Sequence, residues 1–298
     1  MNLSLAFRKI KTAIKIGLAT IKYPFVVKKY KLPYIMSIEE SLHKVVSNKL
    51  SVARFGDSEY MYLTGRSDGL QTSNLALKTG LGRALLNRNP KLLVCLVDYE
   101  NLADRTTMAR LSGKLFHTRT IAGYHHLLDP TYTYGDSNMT RFYMGKSDKK
   151  KAKSLFDLCK QLWKGRDVVI FEGQNTRFGY GNDLFDNALS VHRVLCPSKG
   201  AFEYYHEIID FAKTIDASKL LIFALGASAT VAASDLTDLG YQVLDIGNLD
   251  IEYEWYLKGA TTVVKIENKQ VSEVYGGTKV KELNDINFKK EILYHIGL

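Results

Sequence analysis

The strongest constraint on this chain is a set of short runs that are apolar at nearly every position: "KLLVCLVDY", "DVVIFEG", "KLLIFALG" and, more briefly, "HRVLCP" and "YQVLDIG". A strand with one face in water alternates apolar and polar residues. A strand with no polar face must be covered on both sides, which is the situation of a parallel sheet with helices above and below. "LSVARF" reads as a further strand ahead of these, and "SIEESLHKVVSN" before it reads as a helix, with Ser37 as cap and Glu40 three residues on. Helical patterns over 74–88, 148–163, 202–214 and 228–239 separate the strands. The expected fold class is therefore α/β, a doubly wound and mostly parallel sheet with right-handed crossovers, which binds ligands at the carboxyl ends of its strands. The segment 117–147, "HTRTIAGYHHLLDPTYTYGDSNMTRFYMGKS", lacks a clear period and reads as a long loop or lid.

Charge divides the chain. Residues 1–38 carry eight basic side chains and no acidic one, whereas the other 260 residues, with 33 basic and 31 acidic, are close to neutral. This excludes a broad nucleic-acid-binding face and marks residues 1–36 as a basic leader ahead of one domain over 37–298. Within the leader, Phe7, Ile10, Ile14, Leu18, Ile21 and Phe25 recur at steps of three and four, an apolar stripe flanked by lysines. Such a helix can lie on an anionic membrane surface or pack on its own domain or a partner. Cys95, Cys159 and Cys196 stand singly in apolar runs and read as reduced core thiols. With no signal-peptide pattern and no run of about 20 apolar residues, the expected location is the cytoplasm, at the inner membrane face if the leader docks there.

Four segments could carry chemistry. In "SVARFGDSEYMYLTG", Asp57 and Glu59 follow Gly56 at the end of a strand. If the chain stays extended, side chains two apart point the same way, and two carboxylates facing one spot suit Mg²⁺ or Mn²⁺ completed by substrate phosphates. A solvated turn would read the same. In "VVIFEGQNTRFGYGNDLFDN", Glu172 ends a buried strand and Arg177 offers a fork for phosphate among glycines, unless the segment is a glycine-rich turn in which Asp183 caps a helix. In "KLLIFALGASATVAASDLTDLG", Gly226, Ala227, Ser228 and Thr230 open a helix whose free N–H groups could receive a phosphate, though small residues there also serve packing. In "LDIGNLDIEYEWYLKG", Asp245, Asp250, Glu252 and Glu254 lie near Tyr253, Trp255 and Tyr256, the composition of a sugar site and equally of a helix start.

Taken together, "SVARFGDSE", "FEGQNTRFGYGNDLF", "VLCPSKGAFEYY" and "ALGASATVAASDLTDLGYQVLDIGNLDIEYEWY" resemble, in order, blocks of the bacterial GT-D-fold glycosyltransferases, over roughly residues 37–260. The resemblance implies a Rossmann-like sheet of GT-D type, with Asp57 and Glu59 coordinating Mn²⁺ or Mg²⁺ and holding a UDP-sugar. It further implies hexose transfer, glucose first, to a hydroxyl of a glycan, glycoprotein or lipid-linked saccharide. Arg54, Gly56, Asp57, Arg177 and the segment Gly226, Ala227, Ser228 and Thr230 are then the expected nucleotide contacts. Asp250 and Glu252, with Glu172 behind them, are the expected acceptors of the hydroxyl proton. Two departures stand out: Ser58 in place of the family's glycine, and Asn248 where a histidine is expected. Two other functions share these residues: phosphotransfer or phosphodiester cleavage at a carboxylate–metal site, and nucleotide-sugar binding without turnover.

Overall fold

A computed structural model describes residues 3–67 and 71–297, with side chains of the first helix described from residue 11 onward. The chain begins with α1 (Leu3–Lys29) and α2 (Ile38–Asn48), followed by β1 (Ser51–Phe55), α3 (Asp57–Leu63), α4 (Leu75–Leu86) and β2 (Leu92–Leu96). Next come α5 (Thr107–Thr120), β3 (Gly135–Asp136), α6 (Ala152–Lys160), β4 (Asp167–Gly173), β5 (Ser190–Cys196) and α7 (Tyr205–Ala212). The chain ends with β6 (Leu220–Ala224), α8 (Ala227–Asp238), β7 (Gln242–Asp245), α9 (Leu249–Leu257), α10 (Ile286–Glu291) and β8 (Ile292–His295). The strands form one sheet in the order β3-β2-β1-β7-β6-β4-β5-β8, and every described ladder is parallel. The chain builds outward from β1 on one side and returns to it through β7 on the other. The carboxyl ends of β1 and β7 therefore flank the switch point, where doubly wound sheets bind ligands.

The continuous apolar strands have the predicted cause. Val169 and Phe171 of β4 join a core with Leu81 of α4 and Ile208 of α7, while Val168 and Ile170 join another with Leu42 of α2 and Phe156 of α6. Successive residues serve opposite layers, so none can be polar. The Ser37 capping box at the start of α2 is present, and all three cysteines are buried and free.

Two local expectations fail. The strand at 51–59 does not remain extended: it ends at Phe55, and Gly56 caps a helix beginning at Asp57. Residues two apart on a helix point about 200° from each other, so Asp57 and Glu59 do not share a direction by strand parity. The segment 117–147 is not a lid. Its His117, Tyr124, Tyr134, Met139 and Phe142 are buried, and it supplies β3, whose Gly135 lies so close to Cys95 that a Cβ there would stand 2.6 Å from the sulfur. Its pattern is obscured because single-turn 3-10 segments and a two-residue strand have no period to read.

The leader is a helix with two apolar faces. Ala19 is buried, the Tyr23 hydroxyl donates to the Tyr99 carbonyl, and the Tyr23 and Tyr99 rings flank His117 of α5. On the other side Ile14, Leu18, Ile21 and Phe25 are 56, 54, 69 and 74 % exposed. Phe7 and Ile10, which open the expected stripe, and the basic Arg8 and Lys9 have side chains outside the described residues. No described helix is long and apolar enough to cross a membrane.

Candidate functional site

A cavity of about 540 Å³ opens at the carboxyl ends of the central strands. That is the size of a small-molecule site. Asp57 and Glu59, at the start of α3, both line it. The Glu59 carboxylate accepts the Gly56 N–H at 2.8 Å, and the Asp57 carboxylate accepts the Tyr99 hydroxyl. Neither has an ion-pair partner among the described residues. Burial, with the nearby Asp245 charge, pushes Glu59 up to about 7. Burial also raises Asp57, against the opposing pull of the Tyr99 hydrogen bond. Among the described residues no group of three or more His, Cys, Asp or Glu side chains gathers as a complete metal cage. Two hard oxygen donors without a basic partner nevertheless fit Mg²⁺ or Mn²⁺, provided that diphosphate oxygens and water complete the shell.

Asp245, at the end of β7, organises the floor. Its Oδ1 accepts from the Arg54 guanidinium at 3.0 Å, and its Oδ2 accepts from the Arg54 N–H and the Thr230 hydroxyl, both at 3.1 Å. Arg54 also donates to the Asp245 carbonyl at 2.6 Å and to Thr140 Oγ1 at 2.7 Å. The structure thus brings Arg54 into the cavity and ties it there, while Thr230 lies fully buried beneath. Gly226 and Ala227 line the cavity at the start of α8. Gly226 has φ +57°, and open space where a side chain would project leaves the helix N-terminus approachable. Behind it, buried Ser228 has a hydroxyl with no hydrogen-bond partner among the described residues.

The three acids expected as proton acceptors are all committed. Asp250 accepts Lys269 Nζ on both oxygens at 2.8 Å and Asn182 at 2.8 Å. Glu252 accepts the Tyr143 and Met144 N–H groups, each at 2.8 Å. Glu172 accepts Arg193 and the Phe178 N–H, both at 2.6 Å. Burial raises all three; Lys269 opposes this most at Asp250, the Met144 N–H at Glu252 and Arg193 at Glu172. Asp250 still lines the cavity, whereas Glu172 does not. Nor does the Arg177 fork reach it: the guanidinium is buried and donates to the Asn268 and Lys281 carbonyls, both at 2.6 Å. Asp183 caps no helix, but bonds Lys160 and the Tyr253 hydroxyl.

Sequence reasoning missed Tyr99, Arg105, Arg141 and Glu273, which line the cavity, and Lys269, which braces it. Only tertiary contact joins them to the carboxylates, so no local spacing could have revealed them.

The family model described as "Glycosyltransferase GT-D fold" matches residues 52–274, about three quarters of the chain. The chain belongs to the GT-D-fold glycosyltransferases. It is similar to a solved structure of the highly conserved domain of unknown function 1792, described as having a distinct glycosyltransferase fold (35 % identity, TM-score 0.88, covering 92 % of this chain and all of that one). It is also similar to a glycosyltransferase of that domain type from Streptococcus sanguinis (31 % identity, TM-score 0.84, 89 % of this chain and all of that one). Among curated proteins, glycosyltransferase GlyD of Streptococcus pneumoniae is 33 % identical over 88 % of this chain. The probable glycosyl transferase Gly of Streptococcus gordonii is 31 % identical, also over 88 %. The match takes up only 32 % and 39 % of those two proteins, so this chain spans about a third of their length.

Proposed function

We propose that the domain transfers a hexose, glucose in the first instance, from a UDP-sugar to a hydroxyl of a glycan, glycoprotein or lipid-linked saccharide. The observation carrying this reading is the placement of Asp57 and Glu59: two carboxylates, Glu59 buried and Asp57 exposed, with no ion-pair partner among the described residues, in the same cavity as the open start of α8. A buried charge such as that of Glu59 persists only when compensated, and a divalent cation carrying a diphosphate compensates it. The ion, Mn²⁺ or Mg²⁺, would offset the negative charge that grows on the departing diphosphate.

The residues divide the remaining work. N–H groups at Gly226 and Ala227 meet phosphate oxygens, and the Ser228 hydroxyl behind them is free to donate. Arg54 supplies positive charge to the floor, and its bonds to Asp245 hold it in place before any substrate arrives. Tyr99 fixes the direction of Asp57.

The leader supports an acceptor held near an anionic membrane. The outward stripe of α1 carries exposed Lys11, Lys15 and Lys22 beside it and is left exposed by the described residues. Lipid affinity there would keep the domain at the cytoplasmic face.

A donor screen reading UDP release, with Mn²⁺ and with EDTA, tests reaction class, metal and sugar together. Release from one UDP-hexose that EDTA abolishes is expected. Phosphate release from simple esters would favour the phosphotransfer alternative, and tight UDP binding with no turnover on any acceptor would favour a binding protein.

A further inference from the structure

We propose that Glu273 is the catalytic residue that takes the proton from the acceptor hydroxyl, a role that rests on the glycosyl-transfer reading above. A second cavity, of about 310 Å³, adjoins the first. The two share Arg105, Ala109, Asn138, Arg141 and Glu273 as walls. The first holds the machinery for a diphosphate, so a second substrate enters through the other, and reaction occurs where they join. Glu273 is the one carboxylate among the described residues that lines both.

Its bonding leaves it ready for this role. Glu273 Oε1 accepts Arg141 at 2.9 Å and the Asn248 side-chain amide at 2.7 Å. Its Oε2 accepts no bond from the described residues, and the side chain is 27 % exposed. Glu252, the other carboxylate of the second cavity, holds two backbone N–H groups on Oε2 and is only 3 % exposed, so an incoming hydroxyl meets Glu273 instead. Within the first cavity, Asp250 is saturated by Lys269 and Asn182, and Asp245 by Arg54 and Thr230.

The loop carrying Glu273 is fixed at both ends. Lys269 pairs with Asp250 at 2.8 Å and Glu254 at 2.9 Å, and buried Val271 follows it. The Val271 N–H donates to the Gly277 carbonyl at 3.0 Å, closing a turn so tight that a Cβ at Gly277 would stand 2.3 Å from the Val271 oxygen. The Asp250–Lys269 pair therefore positions the acid that reacts. Asn248, where the sequence departs from the expected histidine, acts through its bond to Glu273.

In the step itself, Glu273 Oε2 takes the hydroxyl proton as the acceptor oxygen forms its bond to the anomeric carbon. The bond from that carbon to the diphosphate oxygen breaks, and its electron pair leaves with UDP. This is one displacement, and it inverts the anomeric centre.

The test compares wild type, Glu273→Gln and Glu273→Asp by steady-state transfer, by calorimetry of UDP binding with Mn²⁺, and by NMR of the product's anomeric configuration. Glu273→Gln is expected to lower kcat by on the order of 10²–10³-fold, the usual contribution of a positioned base. UDP affinity should stay within about twofold, since only a chemical step is lost, and Glu273→Asp should recover part of the rate. A Glu273→Gln enzyme within roughly fivefold of wild-type kcat overturns the assignment, as does a parallel loss of UDP affinity or a product that keeps the donor's configuration. Those results leave glycosyl transfer standing; a wild-type protein that transfers from no UDP-sugar overturns both readings.

Discussion

Two sets of carboxylates in this domain have opposite fates. Glu172 and Asp250 are held by Arg193 and Lys269, in ion pairs of 2.6 and 2.8 Å whose side chains are at most 5 % exposed. Glu59, 8 % exposed, and Asp57, open to solvent, meet only a backbone N–H and a phenol. A buried ion pair adds little net stability, yet removing one partner strands the other's charge. The first set is therefore frame. The second has no ion-pair partner among the described residues, which is the condition a cation-dependent ligand site needs.

The largest effect that could break this contrast is on activity. Asp57→Ala and Glu59→Ala should each lower metal-dependent UDP release by at least about 10³-fold, if the cation stabilises the leaving group as proposed. Neither should lower Tm, since Glu59→Ala removes a buried charge without an ion-pair partner and Asp57 is exposed; full activity in both variants would dissolve the contrast. On the frame side, Arg193→Met should cost about 3–5 kcal/mol in denaturant unfolding, because it strands Glu172 and frees Glu291. Adding Glu172→Gln should recover part of that loss, whereas equal stability of single and double variants would show that the pair is not a unit.

His117 sharpens the comparison as a buried base with no hydrogen-bond partner on either ring nitrogen among the described residues. Burial, with a smaller contribution from His125, lowers it from 6.5 to about 4. The folded state thus binds fewer protons than the unfolded chain. Its contribution is complete above pH 6.5 and is lost as pH falls towards 4, by about 3 kcal/mol in total. Unfolding free energy measured across that window should fall for wild type and flatten in His117→Phe. The smallest effect on the domain itself is expected at the surface of α1. Replacing Ile14, Leu18, Ile21 and Phe25 with Ser should abolish co-flotation with phosphatidylglycerol vesicles while leaving Tm and soluble-acceptor activity unchanged. Retained flotation would remove the membrane from the proposal.

The strands were legible because burial on both faces writes itself into consecutive residues, as Val168 to Phe171 show. The carboxylate pair was legible as a pair, but the reason for its usefulness was misread: Gly56 ends the strand and starts a helix, so strand parity does not aim Asp57 and Glu59. The stripe on α1 was legible too. Its periodicity could not say which apolar face would be covered, since Ala19 and Tyr23 supply a second one.

By itself, the sequence determined the doubly wound layering, the helix starts at Ser37 and near Gly226, and the segments that gather at the switch point. All of these depend on neighbours in the chain. The tertiary structure alone decided which carboxylates are spent. Arg193 reaches Glu172 across 21 residues, Lys269 reaches Asp250 across 19, and Tyr99 reaches Asp57 across 42. A carboxylate's role is set by what neutralises it, and in a folded chain that partner is chosen by proximity in space.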